Sequence, residues 1–272
     1  MSNQFRLNAQ ERKIVGLAAL GGMLEFYDFI IYGMFSVYFA HQFFPSNNQL
    51  LSIIESYVVF VLGYLSRPIG GMLFSHIGDE HGRKKVLVIT IILMGISSLG
   101  IGLLPTYQQI GVIAPIGLVV FRLLQGLALG GELPSTYVYI SESMPNKRGS
   151  GFGITMVGVN SGLLLGSLIN QLLNFAFTPA ELTSYGWRIP FILGGVICLI
   201  SYKIRQTLHE TAAFHRIEDK PEFPLGFLFK HHLPQMIAGI ATTAIMSGLV
   251  VVAIIFMPTY LHNILKVENR TI

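Results

Sequence analysis

The chain has 272 residues, of which 52% are hydrophobic and only 12% are charged. Soluble proteins carry about 25% charged residues, so this chain has too little charge to coat water-soluble domains, and we predict a membrane protein. Its net charge of +4 does not indicate nucleic-acid binding, because the basic residues are spread through short loops instead of forming one basic face. The single cysteine, Cys198, excludes an intrachain disulfide.

Long apolar runs alternate with short polar segments along the chain. They span residues 14–40, 51–74, 86–104, 110–135, 151–177, 188–204 and 233–261. Each is about long enough to cross ~30 Å of hydrocarbon at ~1.5 Å per residue. Backbone groups have no water to bond inside a bilayer, and the alternating pattern of a membrane barrel is absent. The sequence therefore predicts an all-α integral membrane protein, with a six-helix bundle followed by a seventh transmembrane helix.

Glycine is frequent, with 29 residues, and it clusters within the runs. The spacings of Gly126 and Gly130, and of Gly158, Gly162 and Gly166, place these small residues on one face of a helix. Such faces allow membrane helices to pack closely, so we predict tight helix pairs there.

The connection between the sixth and seventh runs is longer and more charged than the other loops, and it contains Pro221 and Pro224. Length and proline content of this kind are typical of a linker between two units. We therefore predict a transmembrane bundle over residues 1–204, a cytoplasmic linker over 205–232, and a last segment over 233–272 that holds the seventh helix and a short outer tail.

The distribution of Lys and Arg predicts the orientation in the membrane. If the N-terminus is cytoplasmic, the inner segments hold thirteen of the 18 basic residues, whereas the outer segments 41–50, 105–109 and 178–187 hold none. Positive charge favours the cytoplasmic side. We expect a multi-pass protein of the inner (cytoplasmic) membrane, with its N-terminus in the cytoplasm and its C-terminus on the outer side.

Ionisable residues are costly inside a bilayer and usually face a polar cavity or a partner. Glu55 and Arg188 are near the outer ends of their runs and can reach the interface. Five others lie deeper and are the candidates for a substrate and proton pathway: Glu25, Asp28, Arg67, Arg122 and Glu132.

Glu25 and Asp28 are three residues apart and share a helix face. Two carboxylates in a low dielectric repel each other, so one of them is expected to hold a proton near neutral pH; alternatively, one is a packing group bonded to an arginine. Matched depth in the membrane predicts that Glu25 or Asp28 pairs with Arg122, and that Glu132 pairs with Arg67. Such pairs either take part in transport or only hold the bundle together.

Enzyme and receptor chemistry finds little support in the sequence. All eight histidines lie in loops or at the ends of runs, where they cannot hold haem or a metal inside the bilayer. A phosphate loop and a nucleophile elbow are both absent, and the seventh run has no lysine for a retinal Schiff base. We therefore predict a protein that is not an enzyme and that uses no cofactor and no metal.

The segment SHIGDEHGRKKVL, residues 75–87, resembles the signature loop of the major facilitator superfamily. Its matching residues are Asp79, Gly82, Arg83 and Lys84, whereas Ser75 replaces the leading glycine. Asp79 can accept hydrogen bonds from Arg83 or from helix-terminal amides and so join the ends of two helices. The resemblance implies a loop that latches a cytoplasmic gate.

Four further stretches resemble the metabolite:proton symporters, the branch with proline/betaine, α-ketoglutarate, citrate and shikimate carriers. They are GGMLEFYDFIIYG (21–33), SRPIGG (66–71), RLLQGLALGGE (122–132) and YGWRIPF (185–191). The resemblance implies alternating-access symport of a small osmolyte or organic acid, with a proton as coupling ion and Arg122 in proton coupling. Glu142 and Arg148 resemble the charged loop after the fourth helix, which implies that they join Arg83 in the gate.

Members of this superfamily are built from two six-helix halves that rock against each other, whereas this sequence ends soon after its seventh run. Three possibilities follow: a working symporter, a truncated remnant that does not transport, or a half-transporter that needs a second chain to supply the missing helices. The expected partners are a small-molecule substrate and the lipid bilayer, without nucleic acid.

The substrate stays open at this level. Arg67 and Arg122 suit a carboxylate through bidentate bonding, which favours an organic acid. Aromatic residues in the first two runs suit the cage of a quaternary ammonium such as betaine. These are Phe26, Tyr27, Tyr32 and Tyr57.

Overall fold

The computed structural model describes residues 7–211, 214 and 224–250, and all regular secondary structure in that part of the chain is helical. The chain divides into two compact units, Met1–Lys220 and Pro221–Ile272. The first unit contains α1 (Ala9–Phe43), α2 (Gln49–His81), α3 (Arg83–Leu103), α4 (Tyr107–Ile110), α5 (Ile113–Ser143), α6 (Arg148–Ala176), α7 (Pro179–Glu181) and α8 (Arg188–Arg205), with a π-helical turn over Leu182–Gly186.

Five helices of this unit, α1, α2, α3, α5 and α6, are long and apolar enough to cross a membrane. A sixth crossing is formed if the segment Pro179–Gly186 and the helix Arg188–Arg205, bent by 45° at their junction, count as one span. The predicted fold class is confirmed: the unit is the α-helical bundle of a multi-pass membrane protein.

The second unit contains α9 (Pro224–His231) and α10 (Leu233–Val250). The predicted seventh helix begins at Leu233, as expected from the apolar run. Residues 212–213, 215–223 and 251–272 are outside the described residues, and with them the predicted outer tail and the middle of the predicted linker. The predicted boundaries of the linker stay a prediction.

Glycine faces bring helices of the first unit into backbone contact, as the spacing predicts. A Cβ atom on Gly126 would lie 1.9 Å from the carbonyl oxygen of Gly63, and one on Gly158 would lie 2.2 Å from that of Ala19. These contacts join α5 to α2 and α6 to α1. No side chain fits at either crossing, so the glycines set the separation of both helix pairs.

Capping and ring packing fix α1, which carries the candidate acids. Asn8 caps the helix: its Oδ1 accepts from the backbone N–H of Glu11 at 2.7 Å, and its own N–H donates to the Glu11 carboxylate at 2.7 Å. At the other end, Phe39 and Phe43 pack against the rings of Trp187 and Phe191, with centroids 5.2–6.0 Å apart. The cap closes the first turn of α1, and the ring contacts join its last turns to the start of α8.

Candidate functional site

Asp28 lies at the centre of a buried polar cluster between α1, α3 and α5. Its side chain is only 2% exposed. Its Oδ2 accepts from the hydroxyl of Ser98 at 2.5 Å and from the side-chain amide of Gln125 at 3.2 Å, whereas its Oδ1 has no hydrogen-bond partner. One carboxylate oxygen is therefore bonded twice and the other has no hydrogen-bond partner.

Arg122 reaches Asp28 only through Gln125. Its Nη1 donates to Gln125 Oε1 at 2.7 Å, and its Cζ lies 4.0 Å from the ring centre of Tyr32 and 5.0 Å from that of Phe60. Its Nε is buried without a hydrogen-bond partner. The predicted pairing of Asp28 with Arg122 therefore takes the form of a relay through an amide, in which a proton on Asp28 weakens the bond to Gln125 and so changes the surroundings of the guanidinium.

Glu25 pairs with Arg67, not with Arg122 as depth alone predicted. The Nη1 of Arg67 lies 3.6 Å from Glu25 Oε1, and its Cζ lies 4.2 Å from the ring centre of Tyr64. Glu25 is 2% exposed and its second oxygen has no hydrogen-bond partner. The two acids of α1 thus contact different partners, which allows them different roles.

Glu132 pairs with Arg205, so the predicted pair of Glu132 with Arg67 is wrong. Arg205 Nη1 donates to Glu132 Oε2 at 2.9 Å and to the carbonyl of Leu87 at 2.7 Å, and Nη2 donates to the other carboxylate oxygen. The hydroxyl of Thr90 also donates to Glu132. Both charged side chains are fully buried, at 0% and 2% exposure. This pair is structural: it joins the end of α8 to α3 and α5.

The signature loop forms the ion pairs that its resemblance implies. Arg83 contacts Asp79 through Nη1 and lies 3.4 Å from Glu142 through Nε. The turn between α2 and α3 depends on Gly82, whose φ of +106° favours glycine over any residue with a Cβ. By contrast, Arg148 is exposed and donates to the carbonyl of Ser141 at 3.1 Å, so it does not join Arg83, Asp79 and Glu142 as the resemblance implies.

Glu210 joins this group of contacts around Arg83, and no motif in the sequence indicates it. Its carboxylate accepts from the backbone N–H groups of Arg83 and Lys84, at 3.1 and 3.0 Å, at the N-terminus of α3. An anion is favoured there by unpaired amides and by the helix dipole. The next residue, Thr211, donates to Glu142 at 2.6 Å. The segment that follows α8 thus ties α3 and α5 together, and Lys84 takes part in these contacts through its backbone N–H.

Removing the carboxylate of Glu210 should therefore weaken the contacts at the N-terminus of α3. We expect Glu210→Ala to lower the free energy of unfolding by about 1–2 kcal/mol, since it removes a charged helix cap. Thermal unfolding of the purified protein measures this change, and His209→Ala, at an exposed neighbour, is the control. Equal stability of the two variants would contradict the capping role.

No group of three or more His, Cys, Asp or Glu side chains that suits a metal ion occurs among the described residues. The polar groups inside the bundle form two sets of contacts: Arg67 with Glu25, and Arg122 with Asp28 through Gln125, where Ser98 also bonds to Asp28.

Comparison with known proteins identifies the family of this chain. The model of the Major Facilitator Superfamily matches residues 18–269. The chain belongs to this superfamily. The resemblance that the signature loop carries is therefore confirmed.

Two relatives within the superfamily agree with the branch that the four shorter stretches indicate. A putative proline/betaine transporter of Staphylococcus aureus (strain COL) is 35% identical over 266 residues, which cover 96% of this chain and 57% of the relative. The alpha-ketoglutarate permease of Escherichia coli (strain K12) is 41% identical over 200 residues, which cover 73% of this chain and 46% of the permease. The chain thus spans about half the length of these relatives, which are named as transporters and not as enzymes.

The fold agrees with solved structures of the superfamily. The xylose transporter XylE from E. coli, in a partially occluded inward-open conformation, superposes with a TM-score of 0.68 at 20% identity, covering 94% of this chain and 64% of the transporter. At this identity the likeness shows the fold alone.

Proposed function

We propose that this chain contributes the N-terminal half of a proton-coupled symporter for a small osmolyte or organic acid, which works by alternating access. The observation that carries the proposal is the buried carboxylate of Asp28, with one oxygen unpartnered and the other linked through Gln125 to Arg122. A buried acid that can gain a proton beside a cation that can change partner is what coupling to a proton gradient requires.

The names of the relatives support the class of substrate. Proline, betaine and α-ketoglutarate share a carboxylate, and the bundle holds two arginines, Arg67 and Arg122, that suit such a group. The aromatic rings beside them, those of Tyr32, Phe60 and Tyr64, suit the less polar part of such a substrate.

The mechanism follows from the contacts in the bundle. A proton on Glu25 weakens its ion pair with Arg67, and a proton on Asp28 weakens its hydrogen bond from Gln125, which alters the surroundings of Arg122. The substrate then binds to the released arginines. At the end of the bundle that holds the α2–α3 turn, the ion pairs of Arg83 with Asp79 and Glu142 hold the gate shut and break when it opens. Substrate and proton thereby cross in the same conformational step.

The positions of the charges support the orientation of the protein in the inner membrane. Arg83, Lys84, Lys147 and Arg148 all lie at the end of the bundle that holds the α2–α3 turn, and basic residues favour the cytoplasmic side. We propose that this end, together with the N-terminus of α1, lies in the cytoplasm.

Uptake into vesicles tests the proposed function. Vesicles that contain only this chain, with its intact mass checked, are given a proton gradient and labelled proline, betaine, α-ketoglutarate or citrate. Uptake that an uncoupler abolishes supports symport by this chain itself. If uptake appears only when a second chain with further helices is co-expressed, the chain is a half-transporter, and if neither preparation takes up any of the four, the proposal is wrong.

Asp28→Asn should separate proton coupling from substrate movement. The amide keeps the shape of the carboxylate but cannot carry the proton, so we expect gradient-driven accumulation to fall to the level measured without a gradient. Exchange of labelled for unlabelled substrate should continue. Glu55→Gln, which removes a carboxylate near the start of α2, is the matched control. Full accumulation by Asp28→Asn would exclude Asp28 as the proton carrier.

A further inference from the structure

The guanidinium of Arg67 is the least satisfied cation inside the bundle among the described residues. An arginine presents five N–H donors, yet no hydrogen bond to this side chain occurs in the described part of the chain. The contact with Glu25 is 3.6 Å, beyond hydrogen-bonding distance, and 24% of the side chain is exposed. Donors for both oxygens of a carboxylate are therefore available.

The bonding of Arg205 shows what a structural ion pair in this bundle looks like. Arg205 holds both oxygens of Glu132, and its Nη1 also donates to a backbone carbonyl. Glu25, in contrast, meets Arg67 through one oxygen only, and its other oxygen is buried with no partner. The pair of Arg67 and Glu25 therefore contributes little to stability, because a buried ion pair stabilises a protein only when its remaining hydrogen-bonding groups are satisfied.

The exposed part of Arg67 marks the side from which a ligand enters. A charged group in the middle of an apolar helix does not face lipid without a large cost, so its open side faces water or a polar cavity. Beside it, the ring of Tyr64 packs edge-on against those of Phe29 and Phe60, with centroids 5.5 Å apart. These rings form an apolar wall next to the cation.

We infer that Arg67 is a carboxylate-binding site that Glu25 occupies in the absence of ligand. The carboxylate of the ligand replaces Glu25 on the guanidinium and forms two parallel hydrogen bonds, while the apolar part of the ligand lies against the ring of Tyr64. This inference rests on the proposed function, since it names the group of the substrate that is recognised and the residue that recognises it.

Equilibrium binding to the purified full chain, without a proton gradient, tests the inference. The probes are labelled glycine betaine and α-ketoglutarate, and choline serves as the analogue of betaine that lacks the carboxylate. Glu25→Gln removes the charge that competes for Arg67, so we expect it to bind both carboxylate probes about 10-fold to 100-fold more tightly than the wild type. Its affinity for choline should not change, and Glu55→Gln should bind as the wild type does.

Arg67→Gln should lose the affinity for both carboxylate probes, and Arg67→Lys should retain part of it, since lysine keeps the charge but not the bidentate geometry. A gain of affinity in Glu25→Gln cannot come from misfolding, so it keeps the test valid even if the Arg67 variants are unstable.

The inference is wrong if Glu25→Gln binds no better than the wild type, if Arg67→Gln keeps its affinity, or if neither the wild type nor Glu25→Gln binds either probe. Failure here is distinct from failure of the proposed symport. Gradient-driven betaine uptake that persists in Arg67→Gln would remove this site and leave the proton coupling in place.

Discussion

Arg205→Met should lower the free energy of unfolding by about 3–5 kcal/mol, the usual cost of removing one partner from a buried ion pair. The substitution keeps most of the side-chain volume but leaves the carboxylate of Glu132 charged at 0% exposure. It also removes the bond to the carbonyl of Leu87, so α8 loses its polar tie to α3. Thermal unfolding of the purified protein in one detergent measures the change.

Two further variants show whether the unpaired charge is the cause. Lys203→Met removes a positive charge from an exposed position of the same helix and should change stability little. Combining Arg205→Met with Glu132→Gln should recover a large part of the loss, because the neutral amide no longer leaves a charge unpaired and still accepts from Thr90. If Arg205→Met is as stable as Lys203→Met, the pair does not hold the bundle together.

The sequence alone identified the helices well because hydropathy is a local signal. Apolar runs at 14–40 and 51–74 correspond to α1 and α2, yet both helices are longer than their runs. The extra turns are polar and begin or end at caps such as Asn8. The length of an apolar run therefore does not predict them.

The sequence predicts the ion pairs less well, because two coordinates decide whether two side chains on different helices meet, and depth in the membrane is only one of them. The other is the rotation of each helix about its axis, which packing decides. Arg67 and Glu132 were matched in depth, but the glycine faces turn α2 and α5 so that Arg67 meets Glu25 and Glu132 meets Arg205. The apolar run ends at residue 204, so the sequence predicts Arg205 in the linker, whereas the structure has it as the last residue of α8.

The sequence does not predict the roles of the neutral polar residues and the loop residues at the site, for a different reason. Gln125 and Ser98 carry no charge, so their positions inside apolar runs do not mark them as unusual in the sequence. Gln125 nevertheless lies three residues after Arg122 and therefore on the same face of α5. Glu210 is a cap supplied from about 126 residues away in the chain, and no local pattern connects it to α3. The resemblance implied the partners of Arg83, Asp79 and Glu142, whereas the contact with Glu210 came from the structure alone.

Gly126→Ala should separate α2 from α5 and lower the free energy of unfolding by about 3 kcal/mol or more, at or above the usual range for overpacking. The added methyl would lie 1.9 Å from the carbonyl oxygen of Gly63 and 2.0 Å from the hydroxyl oxygen of Ser66. The hydroxyl can rotate away, but the carbonyl belongs to the helix backbone and moves only with α2. Because Arg122 and Gln125 lie within one turn of this crossing, the substitution should also disturb the relay to Asp28.

Glycines at open positions provide matched controls for the same change. A Cβ atom on Gly33 or Gly153 would meet nothing within 4 Å, so Gly33→Ala and Gly153→Ala should leave stability unchanged or raise it by about 0.5–1 kcal/mol through helix propensity. Thermal unfolding and the yield of folded protein compare the three variants. A Gly126→Ala protein as stable as these controls would show that α2 and α5 lie further apart than this contact requires. Because these two helices carry Arg67 and Arg122, the two arginines would then lie further apart as well.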